Sequence, residues 1–319
     1  QSLIDGVRAH WPEVLCGVRV SKGVERVHIL NSRGGEAGYQ KTLFSLWLDC
    51  ELVREGDILS VWDGASSCKP ITDLKPFRES VLGHLEMSRR VASAPKGGEV
   101  PVLFTSQGVA GGLLFPLLSG FNGKTVLQGA SPLGDRLGEQ LLDRTISLWD
   151  DPTLPYIPGS RICDDEGIPS RPVPLAKDGV ISSFLYDLQT GAQAGRDSTG
   201  SASRFMGYAP GPSASVLVWE PGQHSYEDML GGMEEGLVVH GLLGAGQGNV
   251  LGGEFSANVL LGFKVEGGRV VGRVKNTMVS GNVYQLLQGP CAVGKESIWV
   301  AGSLKLPPLL FPRVSVSAN

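Results

Sequence analysis

The sequence lacks any pair of histidines at the spacing a helical zinc site requires. Its five histidines are His10, His28, His84, His224 and His240; the nearest two are 16 residues apart, and neither H-E-x-x-H nor H-E-x-x-x-H occurs. Zinc peptidases of the helical kind place two imidazoles on neighbouring turns with a glutamate as base, so that chemistry has no local motif. The five cysteines, Cys16, Cys50, Cys68, Cys163 and Cys291, are odd in number and form no C-x-x-C pair. Neither a disulfide framework nor a zinc ribbon is expected, and a reducing cytoplasm is the simpler home. Charge of one sign is also missing: 28 Lys and Arg against 32 Asp and Glu give a net charge of −4, with no like-charge block. Neither nucleic acid nor an anionic membrane is an expected partner. The longest apolar run, Val109 to Leu118, is interrupted by glycines and Pro116 and falls short of the ~20 residues that span a bilayer. No basic and apolar leader opens the chain, and a start on Gln1 in place of Met predicts that upstream residues are missing. Serine-hydrolase and nucleotide-binding signatures fail as well. No G-x-S-x-G elbow occurs, and Gly244-x-Gly246-x-Gly248 has neither a surrounding βαβ unit nor a following Gly-Lys-Ser/Thr.

Glycine, by contrast, is abundant, at 45 of 319 residues against a usual share of roughly 7 per cent. With 41% apolar residues, this predicts many turns between short strands rather than disorder. Alternating patterns predict strands over 15–20, 24–30, 42–51 and 58–62, arranged as an antiparallel meander. Asp73 to Ala92 reads as an amphipathic helix capped by Asp73, with Phe77, Val81, Leu82 and Leu85 on one face. Ala94 to Gly98 then reads as a linker, which divides the chain into an N-terminal domain, 1–95, and a C-terminal domain, 96–319. Beyond it come a strand at 100–104, a helix capped by Ser106 and a second helix over 133–142. The three glycines Gly108, Gly111 and Gly112 in the first of these helices predict close packing against other backbone. Asp178-Gly179 and Gly267-Gly268 mark type I′ hairpins, and Ser225 caps a short helix. The tail reads as strands interrupted by Pro307-Pro308. The expected class is α+β: strand-rich, mostly antiparallel, with an N-terminal α/β segment and a larger β-rich C-terminal domain.

Two groups of side chains have chemical potential. Asp164-Asp165-Glu166 is the densest acidic cluster, and adjacent carboxylates in a cleft shift one another's pKa or hold a hard cation. The same residues also suit a turn that caps a following element. His224 and His240, with Cys291, would form a relocated metal site only if the fold brings them together; surface or hydrogen-bonded core histidines are the plainer alternative.

Six ordered segments carry a family resemblance: ISLWDDPTLP (Ile146 to Pro155), CDDEGIPSR (Cys163 to Arg171), LAKDGVISSFL (Leu175 to Leu185), EPGQHSYEDML (Glu220 to Leu230), GEFS (Gly253 to Ser256) and VSGN (Val279 to Asn282). Together they resemble the TldD/PmbA family, the modulators of DNA gyrase, and specifically its PmbA (TldE) side. The resemblance implies that TldD-like members hold zinc through H-E-x-x-x-H on a helix after a strand, with a distant cysteine. At the matching positions this chain has Ser106 and Gly111 for the histidines and Gln107 for the base, with Cys291 near the third ligand. Glycine has no side chain and glutamine is no carboxylate base. The implied function is a non-catalytic, peptide-binding or scaffolding subunit, cytoplasmic, that joins a TldD-like protease subunit or a second copy of itself. It needs no cofactor of its own, zinc being expected only in the partner, and unfolded peptides are the implied substrates. An active metallopeptidase with relocated ligands and a homodimeric binding protein without a protease partner are the alternatives. The N-terminal portion is shorter than the family usually shows.

Overall fold

A computed structural model describes residues 1–54, 56–96 and 98–318. Helix α1 (Ser2–Arg8) leads into three long strands, β1 (Leu15–Leu30), β2 (Glu36–Arg54) and β3 (Asp57–Ser67), and then helix α2 (Lys75–Met87). Strand β4 (Gly98–Phe104) enters three short helices, α3 (Ser106–Gly112), α4 (Leu114–Phe121) and α5 (Gly123–Leu127). Next come β5 (Leu148–Asp150), β6 (Val173–Lys177), β7 (Val180–Ile181), α6 (Leu188–Gln193), β8 (Ala202–Ser203), β9 (Gly211–Pro212) and β10 (Leu217–Trp219). The remainder comprises α7 (Tyr226–Gly231), β11 (Glu235–Leu243), β12 (Glu254–Glu266), β13 (Arg269–Arg273), β14 (Thr277–Asn282), α8 (Val283–Gln288), β15 (Ala292–Val293), β16 (Ile298–Val300), β17 (Leu304–Leu306) and β18 (Leu309–Ala318). No helix among the described residues is long and apolar enough to cross a membrane.

The fold is strand-rich, with a small N-terminal sheet and larger C-terminal sheets, as expected. The N-terminal sheet is the meander β1-β2-β3. Its inner half is anchored by strict alternation in β2, where Leu46, Leu48, Cys50 and Leu52 point inward and bury against Leu59, Val61 and, on α2, Val81 and Leu85. The outer half, from about Val24 to Gln40, is a two-stranded arm with little buried surface. The sequence pattern breaks β1 in two at residues 21–23, but the ladder runs unbroken through Gly23, which pairs with Leu43. On an arm with no buried face, side-chain alternation carries no signal about where a strand ends.

The C-terminal sheets are mixed rather than purely antiparallel, because β11 pairs parallel with β4 and β10 with β17. In the larger sheet the path β11-β4-β18-β14-β12 closes on itself through an additional β11–β12 pairing. Val102, Phe104, Leu237, Val239, Phe255 and Phe311 fill one core of this sheet. Leu103, Val238, Leu261 and Phe263 look the other way, into a second core that they share with β2, β3 and α2. Side-chain alternation in the central strands thus serves two cores at once.

Local expectations differ from the structure in instructive places. Helix α2 begins at Lys75 with Leu74 as N-cap, although the Asp73 carboxylate still accepts from the Lys75 amide at 3.0 Å. It ends at Met87, because Val91 and Ala92 pair with Arg273 of β13 instead. Helix α3 is capped by Thr105, whose Oγ1 accepts from the Gly108 amide at 3.3 Å; Ser106 is its first residue. No helix forms over 133–142: the segment is a run of turns with Gly138 at φ +85°. Both glycine hairpins hold, with Asp178 and Gly179 at φ +48° and +78° and Gly267 and Gly268 at +55° and +73°. Ser225 caps α7 as expected, at 3.0 Å from the Asp228 amide.

The glycines of α3 differ from one another. A Cβ on Gly108 would lie 2.3 Å from the Val239 carbonyl oxygen and one on Gly112 2.5 Å from Leu242, whereas one on Gly111 would meet nothing within 4 Å. Gly108 therefore sets how closely α3 lies on β11. Gly108→Ala is expected to destabilise by about 1–3 kcal/mol, and Gly111→Ala to stabilise by about 0.5 kcal/mol. Thermal melts of the two variants should move in opposite directions; a shared direction would contradict this packing.

Candidate functional site

Strand β4 delivers the chain to the N-terminus of α3, where the candidate positions lie. Ser106 is buried, Gln107 is half-buried, and Gly111 is exposed on the open side of the helix. The helix packs against β11, β16 and β17. None of the three residues supplies an imidazole, a thiolate or a carboxylate, so their donor set does not fit zinc. Among the described residues, no three His, Cys, Asp or Glu side chains are grouped so as to hold a metal ion.

Cys291 does not stand beside them. Ala292 of β15 pairs with Leu310 of β18, and Leu310 with Leu103 of β4, so the register sets Cys291 level with Val102. Two strand spacings put it on the order of 10 Å to the side, and about four residues upstream of Ser106. It lines a shallow cleft of about 290 Å³ with Pro101, Met233 and Leu310. Burial, reinforced by the Asp143 charge, pushes its thiol up to about 11, against a hydrogen bond from Thr145. At neutral pH it is a protonated thiol and a poor metal ligand or nucleophile.

The other histidines do not assemble with Cys291 either. His224 is exposed and bridges Gly294 through its backbone. His240 is buried on β11, its ring centroid 4.2 Å from that of His84 on α2 and 6.0 Å from Trp62. Its Nδ1 lies 3.1 Å from the Thr105 hydroxyl, which at the same time accepts from the Gly108 amide. Burial, and then the neighbouring His84, pushes His240 down to about 3, and burial pushes His84 down to about 4. Both rings are therefore neutral, and a hydrogen bond joins His240 to the Thr105 hydroxyl at the start of α3. Through His240, the N-cap of α3 is thus in contact with α2 and β3. The only trace of this contact in the sequence is that His84 falls on the apolar face of α2, four residues after Ser80 and seven after Phe77.

The acidic cluster is distributed over three separate backbone anchors. Asp164, fully buried, accepts from the amides of Glu166 at 3.0 Å and Ile168 at 2.9 Å through one oxygen, and from Ala202 at 2.9 Å through the other. Asp165 accepts from the Arg204 amide at 2.6 Å, and Glu166 from the Leu188 amide at 2.7 Å. Burial raises the Glu166 pKa. Asp150 works in the same way: it accepts from the amides of Ser215 and Val216, both at 2.8 Å, while burial pushes its pKa up to about 6.

Another concavity lies between the β1–β2 arm and the segment 152–162. Two adjoining clefts of about 480 and 460 Å³ share Gln40, Lys41, Tyr156 and Ser160. Lys41 holds the walls together, its Nζ donating to the carbonyls of Pro158 at 2.5 Å and Ser160 at 3.3 Å. Tyr156 is exposed, with the Lys69 ammonium 3.9 Å above its ring.

Residues 97–318 match the family described as PmbA/TldA metallopeptidase C-terminal domain. An uncharacterized protein of Methanocaldococcus jannaschii is 25% identical over 298 residues, covering 92% of this chain and 67% of its own length. The metalloprotease PmbA of Escherichia coli O157:H7 is 27% identical over 223 residues, covering 69% of this chain, and the match spans 46% of that relative. The crystal structure of TldE from Thermococcus kodakarensis superposes with a TM-score of 0.85 at 25% identity, over 99% of this chain and 72% of that one.

Proposed function

The chain belongs to the PmbA/TldD metallopeptidase family, and from that premise we propose that it is a non-catalytic, peptide-binding or scaffolding subunit that acts with a zinc-carrying TldD-like subunit. The observation that carries this reading is the N-terminus of α3, where Ser106, Gln107 and Gly111 offer neither imidazole nor carboxylate. The displacement of Cys291 by two strands supports it further. So do the two neutral histidines, which are committed to packing and to the Thr105 cap. In this reading residues 1–95 form an N-terminal unit and 96–319 the family domain. The cleft under the β1–β2 arm receives an extended peptide, and Pro152 to Pro155 of its wall belong to one of the segments that carry the family resemblance. The exposed loop Phe205, Met206 and Tyr208, at 77%, 89% and 70% exposure, is the surface offered to the partner subunit or a second copy. The cytoplasm is the proposed compartment.

The test is peptidase assay and metal analysis of the chain alone and after mixing with a TldD-like subunit that carries H-E-x-x-x-H. The chain alone is expected to contain substoichiometric zinc, to gain no thermal stability from added zinc and to leave unfolded peptides uncut. Cleavage in the mixture is expected to be chelator-sensitive and to exceed that of the partner alone. Stoichiometric zinc with chelator-sensitive cleavage by the chain alone would overturn the reading in favour of relocated ligands.

A further inference from the structure

We propose that Cys16 and Cys50 form a cross-strand dithiol, a modification site that closes to a disulfide when the protein meets a small-molecule disulfide oxidant. The two residues are direct partners in the antiparallel β1–β2 ladder. Their sulfur atoms lie 3.3 Å apart, with the Cys50 thiol donating to Cys16. Directly opposed residues in an antiparallel pair have Cα atoms about 4.5–5.5 Å apart, inside the window of about 4.4–6.8 Å that a disulfide spans. Closure therefore needs side-chain rotation and a small approach of the sulfurs, without a change of register.

Access and reactivity assign the order of events. Cys16 is half-buried and reachable, whereas Cys50 is fully buried and its thiol is pushed up, first by burial and then by its bond to Cys16. The Cys16 thiolate attacks one sulfur of the oxidant, whose S–S bond breaks and releases one thiol. The resulting mixed disulfide on Cys16 is then attacked by the Cys50 sulfur, which expels the second thiol together with the Cys50 proton. In total the protein gives up two electrons and two protons, and one oxidant disulfide becomes two thiols. The bond joins the strands at the base of the hairpin whose outer half forms a wall of the cleft with Lys41. Oxidation thus fixes the root of the arm without touching the cleft itself.

The experiment equilibrates the native full chain with oxidised glutathione, quenches it by alkylation and maps it by mass spectrometry. Free thiols are expected to fall from five to three, with an intact mass lower by two hydrogens and a single cross-linked peptide joining Cys16 to Cys50. Dithiothreitol should reverse the change. Cys16→Ser, at the more accessible position, should fold and lose no thiols under the same conditions, while a variant with Cys68, Cys163 and Cys291 all replaced by Ser should still close. Retention of all five thiols, glutathione remaining on Cys16 without cross-linking, or a bond to any other cysteine would overturn the proposal.

Discussion

Asp164→Ala is expected to destabilise the protein by about 4 kcal/mol, because it leaves three amides without the carboxylate that now holds them. A hydrogen bond to a charged acceptor contributes about 1.5–3 kcal/mol, and the three share one anion, so their losses are not additive. The amides belong to Glu166, Ile168 and Ala202, which join the turn at Gly167 to β8. A chain of this size should lose on the order of 10 °C in melting temperature. Asp164→Asn keeps one acceptor oxygen but turns an NH₂ toward another donor, so it should recover only part of the loss. Asp165→Asn and Glu166→Gln each weaken a single bond on a more accessible residue, and about 1 kcal/mol is expected for each. The series separates the two readings of the cluster, since a cation site or catalytic pair would lose ligand binding with melting unchanged. A melt of Asp164→Ala that coincides with wild type would reject the anchoring role.

How much of this was legible in the sequence depended on whether a residue's partners were near in the chain. The inner half of β2 announced itself through alternation because one face is buried, and the turns at Asp178-Gly179 and Gly267-Gly268 because type I′ geometry selects glycine. Strands of two or three residues, such as β7 to β10, have too few positions for any period, and their existence depends on distant pairing. The parallel contacts β4–β11 and β10–β17 left no trace, since each joins residues more than 80 positions apart. The apparent helix at 133–142 owed its pattern to Leu133 and Leu142, which are buried from separate turns. At the candidate site the identities of Ser106, Gln107 and Gly111 were readable directly. The true cap Thr105, its bond to His240 and the distance of Cys291 were not, because a one-residue shift of helix start and a β-register are properties of the fold.

Arg273→Met should cost about 3 kcal/mol, as expected when one member of a largely buried ion pair is removed and the other stays. Arg273, with 6% of its side chain exposed, reaches from β13 to the Asp57 carboxylate at the start of β3, and Lys275 lies 3.0 Å from the other oxygen. The pair spans 216 positions of sequence and, with Lys275, is a charged link between the N-terminal sheet and the closed C-terminal sheet. Burial alone would raise the Asp57 pKa, but the hydrogen bonds and charges of Arg273 and Lys275 outweigh it and hold the carboxyl below its usual 3.8. A carboxyl whose folded pKa is depressed binds more protons unfolded than folded, so its stabilisation is complete above the unfolded pKa and is lost as pH falls through the folded one. The gap in urea stability between wild type and Arg273→Met should thus be constant from pH 7 to about 5 and narrow below about pH 4. Asp57→Asn and the double variant complete a cycle in which the coupling is favourable at pH 7 and shrinks at pH 3. A gap that stays constant from pH 7 to pH 3 would mean that Arg273 stabilises by packing its aliphatic stem and not by holding Asp57 ionised.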